Sequence, residues 1–303
     1  MGICDSRTVI ITGAAGGLGK SYALAFAAEG ANVVVNDIGT SLGGEGRDTS
    51  AADAVVDEIR TAGGNAIANY EDVTDWDAGK RIVDAAVEAF GDLHVVVNNA
   101  GIVRDRMFVS ATLDEWDATM HVHLRGHFCI ARHAVDYWRG RSKEGHEIDA
   151  RIINTTSGAG LQGSIAQAAY STAKGGIASL TLVQAAELGR YGITANAIAP
   201  SARTGMTMGV PEMAERMAAP DDNSFDHFAP ENVSVLLAWL GSEESSHVTG
   251  RVFESEGGRI CIADGWRTTE GVDKGAQWKP AEIGAAMDEL LKKETPAQKV
   301  WGI

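Results

Sequence analysis

Three side chains near the middle of this 303-residue chain have the types and spacing of a proton-transfer device. Ser157, Tyr170 and Lys174 lie in the stretch Ser157-Gly-Ala-Gly-Leu-Gln-Gly-Ser-Ile-Ala-Gln-Ala-Ala-Tyr170-Ser-Thr-Ala-Lys174. Tyr170 and Lys174 are four residues apart, so on a helix they share one face. A tyrosine with its ordinary pKa of about 10 is a poor acid or base at neutral pH. A lysine ammonium one turn away favours the phenolate and lowers that pKa. The tyrosine then exchanges a proton with a substrate oxygen, and Ser157, at a strand end, hydrogen-bonds the same oxygen. Such a set suits carbonyl reduction or alcohol oxidation and lacks only a hydride carrier. Ser157 alone reads as a turn serine and Tyr170 alone as a buried aromatic. The order and spacing of the whole set carry the catalytic reading.

The carrier site is expected at the N-terminus. A β-rich run at 8–12 is followed by Gly13-Ala-Ala-Gly16-Gly17-Leu18-Gly19 and then by a helical pattern with Tyr22, Ala25 and Phe26. Glycines let the backbone turn tightly and approach a pyrophosphate at the helix N-terminus, where free N–H groups favour anions. Gly13, Gly16, Gly17, Leu18 and Gly19 are the expected contacts. A second strand at 32–36 ends in Asp37. A carboxylate at that spacing binds the adenosine ribose hydroxyls and repels the extra phosphate of NADP. Gly16 places no basic side chain in the turn. Both features favour NAD.

These motifs resemble the short-chain dehydrogenase/reductase family, from about Thr8 to about Gly258. The resemblance rests on Thr-Gly-x-x-x-Gly-x-Gly at 12–19, on Asn98-Asn99-Ala100-Gly101, on Ser157, Tyr170 and Lys174, and on a strand ending in Pro200. It implies that Tyr170 is the acid/base, that Ser157 orients the substrate oxygen, and that Lys174 binds the nicotinamide ribose. It also implies that Asp72 and Val73 flank the adenine, that Asn99, Ala100 and Gly101 line the cofactor site, and that Pro200 borders the nicotinamide. Ser201 stands where the family usually has Gly. A narrower resemblance, to the (3R)-hydroxyacyl-CoA dehydrogenase part of the peroxisomal multifunctional enzyme type 2 subgroup, rests on Val35-Asn36-Asp37-Ile-Gly, the glycine-rich insertion after it, Arg104-Asp105-Arg106 and Val122-His123-Leu-Arg-Gly126. That subgroup has His at 123 where the wider family has a catalytic Asn. His123 is expected to hold a water relay toward Lys174. The substrate implied is a (3R)-hydroxyacyl-CoA oxidised with NAD, by a free-standing relative. A hydroxysteroid or other secondary alcohol is the alternative, and an NAD-binding sensor or scaffold without turnover is the reading from another class.

The positioning elements read as alternating strands and helices. Strands are expected near 8–12, 32–36, 66–70, 93–97, 150–155, 193–198 and 251–255. Helices are expected near 17–29, 51–62, 75–90, 112–138, 169–190 and 231–240. The β-branched runs Val33-Val-Val35 and Val95-Val-Val97 do not alternate, as in a parallel sheet covered on both faces. The expected fold is α/β, a doubly wound (Rossmann) parallel sheet of about seven strands with a C-terminal extension. Residues 1–258 form the cofactor-binding and catalytic domain. Residues 204–230, rich in Met, form a lid that either meets the substrate or simply packs on the body. Residues 259–303, with Trp266, Trp278, Trp301 and a helix near 280–293, pack on the domain or on a partner subunit. Residues 39–48 either wrap the cofactor or form a surface loop. Arg104, Asp105 and Arg106 are either CoA-phosphate contacts or a structural ion pair.

Composition excludes several classes. A net charge of −15 argues against nucleic acid and membrane surfaces as partners. Three scattered cysteines suit a reducing compartment rather than a disulfide framework. No apolar run is long enough to span a membrane, and no signal peptide precedes the first strand, so the cytoplasm is the expected location. His121, His123 and His127 lack a third ligand, so no metal is expected. No Gly-x-Ser-x-Gly elbow points to a serine hydrolase. The long helices at 112–138 and 169–190 are expected to pair between subunits, as the resemblance implies, in a homodimer or homotetramer.

Overall fold

Strand formation follows the β-branched runs. In the computed structural model, β1 (Thr8–Thr12), β2 (Asn32–Asn36), β3 (Asn65–Asn69), β4 (Val95–Asn98), β5 (Ala150–Thr155), β6 (Ile193–Ser201) and β7 (Val252–Glu256) pair in parallel. An eighth strand, β8 (Arg259–Ile262), adds antiparallel to β7. The order is β3-β2-β1-β4-β5-β6-β7-β8. The seven expected strands are present, and the eighth lies in the segment expected to be an extension. The structure describes all residues except 1, 210, 223, 267, 269, 294–297 and 299–303. Trp301 lies outside the described residues.

The helices are α1 (Gly17–Ala28), α2 (Ser50–Thr61), α3 (Trp76–Phe90), α4 (Leu113–Met120), α5 (Gly126–Lys143), α6 (Gly158–Gln162), α7 (Ala168–Leu188), α8 (Gly205–Met208), α9 (Pro211–Arg216), α10 (Glu231–Gly241) and α11 (Pro280–Leu291). Their ends have local causes. Asp75 caps α3 through the backbone N–H of Ala78, and Gly91 ends that helix at φ 84°, where a side chain is strained. Thr112 and Glu115 form a reciprocal capping box on α4.

Successive strand residues point to opposite faces, and each face is covered. Val9 and Ile11 pack with Tyr22, Phe26, Ile59 and Leu237. Ile10 packs on the other side with Ile82, Ile130 and Trp138. The strand order reverses between β1 and β4, which opens a crevice at the carboxyl ends of the strands. Among the described residues no helix is long and apolar enough to cross a membrane.

The single long helix expected over 112–138 is interrupted. Residues His121–Arg125 form a π-turn between α4 and α5. A π-turn inserts one extra residue per turn and re-aims the side chains on it. Here it turns His123 inward, where it is 1% exposed. Its Nε2 lies 2.8 Å from the carbonyl oxygen of Ile102. The Ile102 N–H meets the same nitrogen at 3.2 Å, which leaves Nδ1 as the ring nitrogen without a protein partner. Burial, assisted by the Lys174 charge, lowers His123 from 6.5 to about 3. Gly101 is required beside it, because a Cβ there would stand 2.4 Å from His123 Cε1.

This burial has a pH signature. Between pH 6.5 and about 3 the unfolded chain binds a proton at His123 that the folded chain refuses. The unfolded state then binds more protons, so this contribution to stability is present above the window and is lost as pH falls through it. His123→Asn is expected to flatten that part of the acid stability profile, by up to about 1.4 kcal/mol per pH unit. Urea titrations of both proteins across the window check this, and parallel profiles would refute it.

Candidate active site

The site is assembled from two strand ends. On the β1 side, Gly13 takes φ 65° and Gly17 φ 51°. Gly19 packs so tightly that a Cβ would lie 2.0 Å from the Gly13 carbonyl oxygen. Helix α1 starts at Gly16 with no side-chain cap and no acid in its first turn. Its free N–H groups and dipole therefore face the crevice unopposed, as a pyrophosphate requires. Asn99 stitches the turn to β4. Its Nδ2 donates to the carbonyls of Thr12 at 3.0 Å and Gly13 at 3.1 Å. Thr12 Oγ1 accepts from the backbone N–H of Asn99 and of Ala100.

Asp37 stands at the end of β2. Its Oδ2 accepts from the Ala15 N–H at 2.9 Å and its Oδ1 from the Gly39 N–H at 2.7 Å. The carboxylate is thus fixed in orientation, with lone pairs left for two hydroxyls. Asp72 folds back on Thr74, and it and Val73 line the same crevice. The donors and acceptors present match a dinucleotide.

On the β5 side, Ser157 caps α6 by accepting from the Ala159 N–H at 3.2 Å. Helix α6 lies directly on α7, where a Cβ on Gly160 would meet the Gly175 nitrogen at 2.6 Å. That contact brings Ser157 close to Tyr170, whose phenolate it favours. Lys174 is 3% exposed, and its Nζ donates to the Thr155 carbonyl at 2.7 Å. Burial lowers Lys174 from 10.5 to about 7. Nζ is 5.7 Å from the centroid of the Tyr170 ring, and the His123 ring meets that ring edge-on at 5.3 Å.

One electrostatic expectation differs from the structure. Burial pushes the Tyr170 phenol above its ordinary value, the Ser157 hydrogen bond opposes this, and Asp105 adds to it. The physical reason is that the phenol is buried, and desolvation penalises the phenolate.

All these groups line one cleft of about 1430 Å³. It runs from Asp37 and Asp72, past Asn99, to Ser157, Tyr170 and Pro200. The glycine-rich segment 39–48 borders it and is tied down. Leu42 O accepts from the Val103 N–H at 3.0 Å, and Gly43 O accepts from Arg104 at 3.0 and 3.1 Å. Arg106 is paired with Glu115. Arg104 and Arg106 therefore have structural partners. In the Met-rich segment, Met217 is fully buried, while Met206 and Met213 border the cleft. Arg203 closes the base of this segment by pairing with Asp226 and donating to Met217 O. Among the described residues no cluster of three His, Cys, Asp or Glu is placed to hold a metal.

Several contributors were not singled out in the sequence. Thr155 and Gly160 act through the backbone or through close packing, which no side-chain pattern announces. Gly175-Gly176 inside a helical run is the one available signal, since adjacent glycines there mark a close approach. A Cβ on Gly176 would lie 2.9 Å from Leu124.

Known proteins share this arrangement. The sequence profile of the short chain dehydrogenase family matches residues 7–215. The hydroxyacyl-CoA dehydrogenase ChsB1 of Mycobacterium tuberculosis is 40% identical, over 97% of this chain and 91% of that protein. The peroxisomal multifunctional enzyme type 2 of Mus musculus is 44% identical over 84% of this chain, which spans 32% of that longer protein. A solved short chain dehydrogenase from Mycobacterium avium is 55% identical, with a TM-score of 0.88 and both chains fully covered. A 7α-hydroxysteroid dehydrogenase complexed with NADH and 7-oxo glycochenodeoxycholic acid is 27% identical, with a TM-score of 0.72 over 84% of this chain and 94% of that one. The narrower likeness to the multifunctional subgroup is thus also found across most of the chain. The chain belongs to the short-chain dehydrogenase family of nicotinamide-dependent oxidoreductases.

Proposed function

We propose that the protein oxidises a (3R)-hydroxyacyl-CoA to the ketone with NAD. The observation that carries this reading is the convergence of Ser157, Tyr170 and Lys174 in the cleft whose other end holds the glycine turn and Asp37. The acyl-CoA assignment draws on the relatives named hydroxyacyl-CoA dehydrogenase and multifunctional enzyme. The fold itself hosts many substrates.

Bound nicotinamide supplies the acceptor for the hydride that leaves the carbinol carbon. Ser157 holds the substrate oxygen. Tyr170, as phenolate, removes its proton. Lys174 anchors the nicotinamide ribose, and a lysine near pKa 7 readily exchanges protons at neutral pH. His123 has Nε2 engaged with Ile102, so Nδ1 is the nitrogen left for a relay toward Lys174. Gly13, Gly16, Gly17, Leu18 and Gly19 hold the pyrophosphate. Asp37 takes the ribose hydroxyls, Asp72 and Val73 the adenine, and Asn99, Ala100, Gly101 and Pro200 the nicotinamide half. Exposed Phe128 on α5 and Leu182 and Val183 on α7 offer an apolar face to a second copy.

Three measurements test this. NADH formation is expected with (3R)-hydroxyacyl-CoAs and not with their (3S) isomers. Turnover of a free hydroxysteroid with no CoA ester accepted would overturn the substrate. Tyr170→Phe is expected to lower kcat by a factor of about 100 or more while NADH fluorescence titration shows binding retained. Substantial residual activity would refute the acid/base role. Asp37→Ala is expected to weaken NAD binding and narrow the preference over NADP, and an unchanged ratio of the two affinities would remove Asp37 from cofactor selection.

A further inference from the structure

Two acids on β7 line the cleft, and only one of them is paired with a basic side chain. Glu254 and Glu256 are two residues apart on the strand, so their side chains leave the same face of the sheet. Glu256 Oε1 meets His227 Nε2 at 3.0 Å, which ties it to the Met-rich segment. Glu254 has a single hydrogen bond among the described residues, donated to its Oε1 by Gln162 Nε2 at 3.4 Å. No cation among the described residues pairs with it. A carboxylate offers about four lone-pair sites, so most of the accepting capacity of Glu254 is open to the cleft.

Three elements set the place of this carboxylate. Glu254 is in register with Ala199 on β6, the residue before Pro200. Gln162 is the last residue of α6, the short helix that Ser157 caps. Gly158 lies against the pair, since a Cβ there would stand 4.0 Å from Glu254 Oε1. The carboxylate therefore sits beside the residue that follows Ser157, and Ser157, Gly158, Gln162 and Glu254 all line the cleft. A side-chain amide carries two hydrogens, so Gln162 keeps one to donate besides the one it gives to Glu254. An acceptor and a donor thus stand side by side next to the proton-transfer centre. A secondary amide carries the complementary pair, an N–H that donates and a carbonyl that accepts.

We propose that Glu254 and Gln162 form a subsite for the amide nearest the sulfur in the pantetheine arm of an acyl-CoA, and that this subsite selects thioesters whose thiol carries such an amide. The inference rests on the reading of the substrate as a hydroxyacyl-CoA. In that thioester two methylenes separate the sulfur from the amide nitrogen. The amide follows the carbinol by a few bonds, which suits a subsite one residue beyond the serine that holds the carbinol oxygen. Glu254 accepts the N–H, and Gln162 donates to the amide carbonyl. A hydrogen bond to a charged acceptor is stronger than one between neutral groups. A ligand with an oxygen in place of the N–H sets lone pairs against the carboxylate, so the subsite selects by rejection as well as by attraction.

The test compares wild type and Glu254→Ala as full chains on two thioesters of the same (3R)-hydroxy acid. One is the N-acetylcysteamine thioester, which ends in the amide. The other is the O-acetyl-2-mercaptoethanol thioester, which has an ester oxygen in place of the N–H. With NAD as acceptor, kcat and KM are measured for each. Wild type is expected to favour the amide compound in kcat/KM by a factor of about ten or more, chiefly through KM. In Glu254→Ala that ratio is expected to fall toward one. A structural role would lower both substrates equally and leave the ratio at its wild-type value, which would overturn the proposal. A loss of NADH affinity with an unchanged ratio would assign the carboxylate to the cofactor and overturn it as well. A wild-type ratio of one, with the CoA ester itself turned over, would sink the subsite and leave the hydroxyacyl-CoA reading standing. Turnover of neither the CoA nor the N-acetylcysteamine ester would remove both. If Glu254→Ala does not fold, Glu254→Gln, which keeps the shape and weakens the acceptor, and Gln162→Ala carry the same expectation of a lowered ratio.

Discussion

The catalytic half of the molecule depends on how α7 is fixed to the end of β5. Lys174 does this twice, donating through Nζ to Thr155 O and accepting through its own carbonyl from Thr156 Oγ1 at 2.6 Å. About two to three turns further along α7, Asn154 on β5 donates to Thr181 Oγ1 and Gln184 Oε1, while its own Oδ1 accepts from Asn98 on β4. A fully buried polar network of this kind specifies one register, because a slipped helix would leave several of these groups without partners. The Gly160–Gly175 contact then lets α6 lie against α7, and Ser157 reaches Tyr170. The cost is a desolvated lysine whose pKa falls to about 7. The same burial that fixes the geometry therefore brings the lysine into the range where it exchanges protons at neutral pH.

The glycine-turn half is organised differently. It is built from backbone shape and from one oriented carboxylate. Thr12 and Asn99 tie the ends of β1 and β4 at the point where the strand order reverses, so the glycine turn and the catalytic helix open on one crevice. His123 connects the halves. Its imidazole fills the space that a side chain at Gly101 would need, and its ring edge meets Tyr170.

The less regular parts form the rest of the cleft wall. The segment between α8 and α10 is pinned at its base by Arg203 and Asp226, and its methionines divide between packing and the cleft wall. A flexible thioether suits both roles, since it adapts to irregular apolar surface. The 39–48 segment is held over the crevice by Val103 and Arg104 rather than projecting from the surface.

Much of this was legible in the sequence, for physical reasons that apply residue by residue. The β-branched runs at 33–35 and 95–97 can satisfy burial on both faces only as central parallel strands. Gly13, Gly17 and Gly19 are needed where φ is positive or backbones touch, and Tyr170 and Lys174 must share a face because helical geometry puts them there. The extra strand at 259–262 was not legible, because four residues pairing antiparallel at a sheet edge leave little periodicity to read. The π-turn at 121–125 was hidden for a similar reason, since a single inserted residue barely alters the helical pattern. Local sequence places Lys174 one turn from Tyr170, but the desolvation of both groups depends on chain segments far apart in sequence. The sequence by itself determined the elements, the glycine turn and the candidate groups for proton transfer, because these follow from short-range stereochemistry. Only the tertiary structure decided which groups are buried and which nitrogen of His123 is free, because burial depends on distances that only folding sets.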